Sequence, residues 1–243
     1  MSRSNQTEYE KNPAEFEIEW AGGGDEGHFK MYDKGTKTNV DIPFPVRFAV
    51  LDELSSLNGW LKQKKSMAFS NEVHNTTNQT LHVKYFEDGK PREFVEGKYQ
   101  EIKDAMFAQG VKYHKVVYAL LLDPVEGLIG GGTLVKFLLK GGGNSSWIEK
   151  GFKGEKVGAV VVNEYKDEAS AFKFRVPVFE IGEISEEEES YAMDADKELQ
   201  KYFRSLPHTT PQQEDDRVPD AVTDAGESQV PADDSNDSDE IQF

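Results

Sequence analysis

The chain of 243 residues contains no cysteine. Disulfides, thiolate metal sites and a thiol nucleophile are therefore excluded. No stretch approaches the roughly 18 consecutive apolar residues of a membrane span, and the opening MSRSNQTEYEK lacks the apolar core of a signal peptide, so a cytoplasmic protein is expected. Histidine is scarce and scattered: His28, His74, His82, His114 and His208 include no pair at the spacing of a metal-binding helix. The chain also lacks GxxxxGK(S/T), GxSxG and HExxH, and no two of its many carboxylates are singled out as a pair. The expectation is a protein without catalytic residues, metal or cofactor. Gly22, Gly24 and Gly27 fit GxGxxG by letter, but acids and a strand-like run follow them where the dinucleotide fingerprint needs a helix, so they read as a hairpin loop.

What is present is a hydrophobic fraction of 37%, enough for a core, and a formal net charge of −17. That charge argues against a polyanionic partner until its distribution is considered. From Pro207 onward eleven acids face the single Arg217, so the first 206 residues carry only −7. The same last segment is rich in Pro, Gln, Ser, Thr and Asp without periodicity, and it buries too little apolar surface to offset its chain entropy. Two regions follow: a folded part over 1–206 and a disordered acidic tail over 207–243.

Within the folded part the dominant period is two. EFEIEW, Glu15 to Trp20, alternates strictly, and strands are also expected over Phe44–Leu54, Leu81–Phe86, the YHKVVYALLL run and the glycine-bracketed TLVKFLL. Val157–Tyr165 and Ala171–Phe179 read as a hairpin across Lys166–Ser170. Helical spacing is confined to Gly97–Gln109 with Gly110 as its C-cap, to a turn in SSWIEKGF, and to about 186–206, opened by the capping box of Ser185 and Glu188. The fold class is mainly β with two or three short helices.

Basic residues interleave with aromatics in four places: Trp60, Lys62, Lys64 and Lys65; His82, Lys84, Tyr85 and Phe86; Lys112, Tyr113, His114 and Lys115; and Phe172, Lys173, Phe174 and Arg175. A cationic groove lined with exposed rings is how single-stranded nucleic acid is bound without sequence preference. Strand parity selects among the rings. Leu81, Val83 and Tyr85 share one face and His82, Lys84 and Phe86 the other, so Phe86 stands beside a cation on a polar face. Phe172 and Phe174 fall with Val176 and Val178 and read as core. The candidate contacts are Lys62, Lys64, Lys65, Lys84, Lys112, Lys115, Lys173 and Arg175 for phosphates, with Trp60, Phe86 and Tyr113 for stacking. Solvent-facing lysines occur in any soluble β protein, and this plain reading stands beside the functional one.

The tail ends in DDSNDSDEIQF. An apolar and aromatic tip on an acidic tether suits a small pocket with a basic rim. This ending resembles the acidic C-terminal tip of single-stranded-DNA-binding proteins, with Gln242 where bacterial members carry Pro. FAVLDELSSLNGW…FSNEVHN, LHVKY and LVKFLLKGGGNSSWIEK look like the phage type. The resemblance implies an OB-fold-like five-stranded barrel with additional strands. It implies coating of single strands in replication, recombination and repair. It further implies that Asp237, Asp239, Glu240, Ile241 and Phe243 recruit replication proteins such as a polymerase, helicase or primase and compete with DNA for the groove. Two other classes remain open: an acidic-tailed β-sandwich chaperone or virion protein that binds basic proteins, and a nuclease with a carboxylate metal site.

Overall fold

The computed structural model describes residues 11–23, 27–33, 35–151, 159–168 and 174–206. Lys173 and the whole acidic segment from 207, including Asp237, Asp239, Glu240, Ile241 and Phe243, lie outside them. The architecture is mainly β, a curled open sheet with three helices.

The first hairpin pairs β1 (Phe16–Ala21) with β2 (His28–Asp33) in antiparallel register, Ala21 opposite His28, so the glycine run is a hairpin connection. In β1 the alternation buries Ile18 and Trp20 and leaves Glu17 and Glu19 on the other face. β3 (Thr38–Ile42) adds to β2. Sixteen residues, Val46–Leu61, form β4, which takes in both the expected Phe44–Leu54 strand and the NGWL segment after it. It pairs with β5 (Ser66–Ser70), which pairs with β6 (Leu81–Glu87), which pairs with β7 (Lys90–Gly97). Helix α1 (Tyr99–Ala108) leads into β8 (Val111–Leu121), the long partner of β4. β9 (Leu134–Leu139) lies between β8 and a parallel β1, and α2 (Gly142–Lys150) follows. β10 (Ala159–Glu168) and β11 (Phe174–Gly182) form a hairpin attached to the start of β4, and α3 (Glu186–Ser205) closes the described chain.

The strand order is β3-β2-β1-β9-β8-β4-β5-β6-β7 with β10 and β11 branching from β4. This path has two ends, β3 and β7, so the sheet is curled and open, and the expected five-stranded OB-like barrel is not picked out within it.

A bulge sets which face each half of the long strand β4 presents. The pairing of β4 with β8 shifts between Val50 and Asp52, which leaves Leu51 as an extra residue. Each bulge residue inverts the two-residue alternation downstream. Before it Phe48 faces the core that holds Trp20, Phe137 and Trp147; after it Leu57 and Leu61 take that side while Leu54 turns to the opposite face.

Both faces are packed near β9. On one, Trp147 of α2 lies 6.4 Å from Phe48 and 4.9 Å from Phe179, its indole N–H donating to Glu53 Oε2 at 3.1 Å. On the other, Leu199 and Phe203 of α3 cover Leu54, Val116, Tyr118 and Leu138. The capping box starts α3 as the spacing predicts: Ser185 N–H donates to Glu188 Oε2 at 2.8 Å and Glu188 N–H donates to Ser185 Oγ at 3.3 Å. Arg47 of β4 then clamps that first turn with a two-pronged bond to Glu188, at 2.6 and 3.0 Å. At the helix's other end Gln200 donates to Asp52 Oδ2 at 3.2 Å, beside the bulge.

Candidate nucleic-acid interface

The strand alternation that buries Leu61, Ala68 and Tyr85 over Ile102 and Met106 of α1 necessarily turns their neighbours outward. Those neighbours are Trp60 on β4, Met67 and Phe69 on β5 and Phe86 on β6. Trp60 stands directly opposite Met67, and Phe69 directly opposite Lys84. The rings of Phe69 and Phe86 lie 5.1 Å apart at an interplanar angle of 31°. Trp60 is 53% exposed, Met67 48% and Phe86 47%. Four large apolar side chains thus form one row across three adjacent strands. Contiguous apolar surface rimmed by polar groups marks an interaction site more often than a structural one.

The rim is basic. Lys62, Lys64 and Lys65 occupy the turn that closes β4 onto β5, all exposed, with the Lys62 N–H bound to the Gln109 carbonyl at 2.9 Å so that the turn is held by the end of α1. Lys64 reaches to the α1 side of the sheet instead, its Nζ 5.1 Å from the centre of the Tyr85 ring. Lys112 is exposed on β8 opposite Asn58, and Lys84 pairs with Glu93 at 3.1 Å. From Ser55 to Lys115 the chain has ten Lys and Arg against seven Asp and Glu, a net of +3 within a total of −17. On an otherwise acidic protein, lysines near the rings favour anions there over the rest of the surface.

Gly59 lets this edge form. With φ of +152°, it passes so close to β8 that a Cβ would sit 2.7 Å from the Gly110 carbonyl oxygen. Any other residue there would push β4, and Trp60 with it, off β8.

Three more candidates from the sequence stand elsewhere. Tyr113 faces the opposite side of β8, half-buried under α1, with its hydroxyl 2.7 Å from Ser55 Oγ and its ring 5.1 Å from Tyr99. Its neighbour Lys112 suggested exposure for Tyr113, whereas strand parity sends the two to opposite faces. Burial and the neighbouring Tyr113 push the Tyr99 phenol up to about 12, as expected for a ring packed and not presented. Lys115 shares Tyr113's face and is paired with Glu53 at 3.3 Å, near Trp147. Arg175 opens β11 beyond the start of β4, its Nε on Asp167 at 3.0 Å and its guanidinium 4.5 Å over Tyr165. Along β4 alone, Ala49 and Trp60 are about 35 Å apart at some 3.3 Å per residue. Lys115 and Arg175 therefore do not join the row. Phe174, expected in the core, is half-buried.

Met67 and Phe69 were missed. The signal was present in SMAFS, where two large apolar residues flank the small Ala68 with period two, but only the pairing with β4 and β6 shows that they continue the line of Trp60 and Phe86.

A separate groove of about 800 Å³ runs along the outer side of β1, lined among others by Glu17, Glu19, Lys30, Tyr32, Lys136 and Lys140. Its floor lysines are neutralised: Lys136 pairs with Glu17 at 2.8 Å and Glu72 at 3.2 Å, and Lys140 with Glu19 at 3.0 Å. It offers little to a phosphate. The chain matches no family profile, no curated protein and no solved structure.

Proposed function

We propose that the chain binds single-stranded DNA without sequence preference through the β4-β5-β6 face, in replication, recombination or repair. The observation that supports this most is the row of Trp60, Met67, Phe69 and Phe86 lying in the segment of net positive charge. Bases stack on such rings whatever their identity, while the lysines at the rim meet the phosphates. Lys62, Lys65, Lys84 and Lys112 serve that role. The curled sheet around β4 is read as an elaborated OB-like platform, the OB-fold being a partly open five-stranded barrel that binds oligonucleotides on a strand face. The acidic tail is read as a tether that recruits replication proteins through Ile241 and Phe243 and competes with DNA for the same face.

A second reading rests on the charge outside Ser55–Lys115, where the chain totals −20. It would be a chaperone for basic proteins. Titration of labelled oligo(dT), followed by anisotropy in a series of salt concentrations, separates the two. Log affinity should fall linearly with log salt by about 0.7 for each phosphate contact. Trp20 and Trp147 are buried at 2% exposure each, so quenching of tryptophan emission on binding reports Trp60. No binding at low salt, together with capture of a basic protein, would reverse the choice.

A further inference from the structure

Of the five methionines, Met31 and Met106 are buried, while Met67 and Met193 are about half exposed. The two exposed residues differ in surroundings. Met193 stands on α3, and Met67 stands in the ring row, directly across from Trp60 and on the strand that carries Phe69. The side chain of Met67 takes no part in the core beneath it, which Ala68 supplies. A chemical change at its sulfur therefore alters the face without unfolding the strand.

We propose that Met67 is an oxidation site that controls the proposed single-strand-binding face, so that conversion to the sulfoxide releases the strand. The inference rests on the binding reading above. The oxidant is a peroxide: its O–O bond breaks, one oxygen bonds to the thioether sulfur, the sulfur gives up two electrons, and the peroxide leaves as water or an alcohol. A flat polarizable sulfur that completes a platform between two rings becomes a dipole carrying a strong acceptor. When a base covers the row that acceptor loses its water, and the apolar surface that Met67 shares with its cross-strand neighbour Trp60 is interrupted by a dipole. Thiol-dependent sulfoxide reduction would restore the face.

The test uses the full chain, treated with hydrogen peroxide until peptide mass spectrometry shows Met67 and Met193 each carrying one added oxygen, with circular dichroism confirming the fold. Affinity for labelled oligo(dT) should fall about fivefold or more. Met67→Leu removes a member of the binding row, so its own untreated affinity is the reference; against that reference it should lose nothing on treatment, because leucine has no sulfur to oxidise. Met193→Leu should stay peroxide-sensitive. Unchanged affinity with Met67 oxidised, or full sensitivity in Met67→Leu, would overturn the inference while leaving the binding reading intact. Failure of the untreated wild type to bind would overturn the binding reading itself, and the inference with it.

Discussion

One face of the sheet is treated in two ways. Across β8, β9 and the first half of β4, α3 lies over it and seals Leu54, Val116, Tyr118 and Leu138 beneath Leu199 and Phe203. Across the end of β4, β5 and β6, no described element covers it, yet Trp60, Met67, Phe69 and Phe86 remain there. Apolar side chains under α3 stabilise the fold by leaving water. Those in the uncovered half forgo that gain, at roughly 25 cal/mol for each Å² left wet. Charge divides the same way: the open half is the net positive segment, and the covered half carries the acidic first turn of α3. An uncovered apolar row with lysines near its rings suits an intermittent, anionic, flat-faced partner.

The comparison breaks first under α3. Leu199→Ala should cost about 2–5 kcal/mol of unfolding free energy in urea titrations, because Leu199 is fully buried and a cavity is left behind. Oligo(dT) affinity of the folded protein should stay at wild type. A joint loss would mean the two halves are one coupled unit. The converse substitution, Trp60→Ala, should weaken binding by about 1–3 kcal/mol. Its unfolding free energy should move by less than about 0.5 kcal/mol, the range of surface positions.

Acid tests the covered half through two titrating groups. Burial, with Lys140 nearby, pushes His114 down to about 4, and the Arg47 clamp together with the Ser185 N–H pulls Glu188 down to about 2. Both folded values lie below the unfolded ones, so each group stabilises the fold at neutral pH. The His114 contribution is lost as pH falls from 6.5 toward 4, and that of Glu188 as pH falls from about 4.5 toward 2. Urea midpoints across this range should drop in those two windows, and Glu188→Gln should flatten the lower one. An unchanged lower window would remove the clamp from the account. The smallest effect belongs to one rim charge: Lys112→Gln should reduce the salt slope of oligo(dT) binding by about 0.7 with intact stability.

Much of this was legible before the structure. Alternation located β1, the run Leu81–Phe86 β6, the β-branched and aromatic content of YHKVVYALLL β8 and the glycines bracketing TLVKFLL β9; the Ser185 and Glu188 pair located the start of α3, and the parity of Leu81–Phe86 put Phe86 outward beside Lys84. The same parity argument, applied to β8, would have turned Tyr113 inward. Sequence proximity of lysine and aromatic was a poor guide at Lys115 and Arg175 for a physical reason: adjacent residues in a strand face opposite ways, and a charge beside a ring is as easily paired with Glu53 or Asp167 as presented to a ligand.

By itself the sequence determined what depends on near neighbours along the chain: strand or helix, which side chains share a face, where a cap begins, and how charge is apportioned. The tertiary structure alone decided what depends on distant partners. The extra residue at Leu51 inverts the faces of a sixteen-residue strand, the order β4-β5-β6 sets Trp60, Met67, Phe69 and Phe86 in one row, and α3 lies over one half of the sheet face. Strand order and helix placement are settled by burying surface contributed from across the whole chain, and no local pattern carries that information.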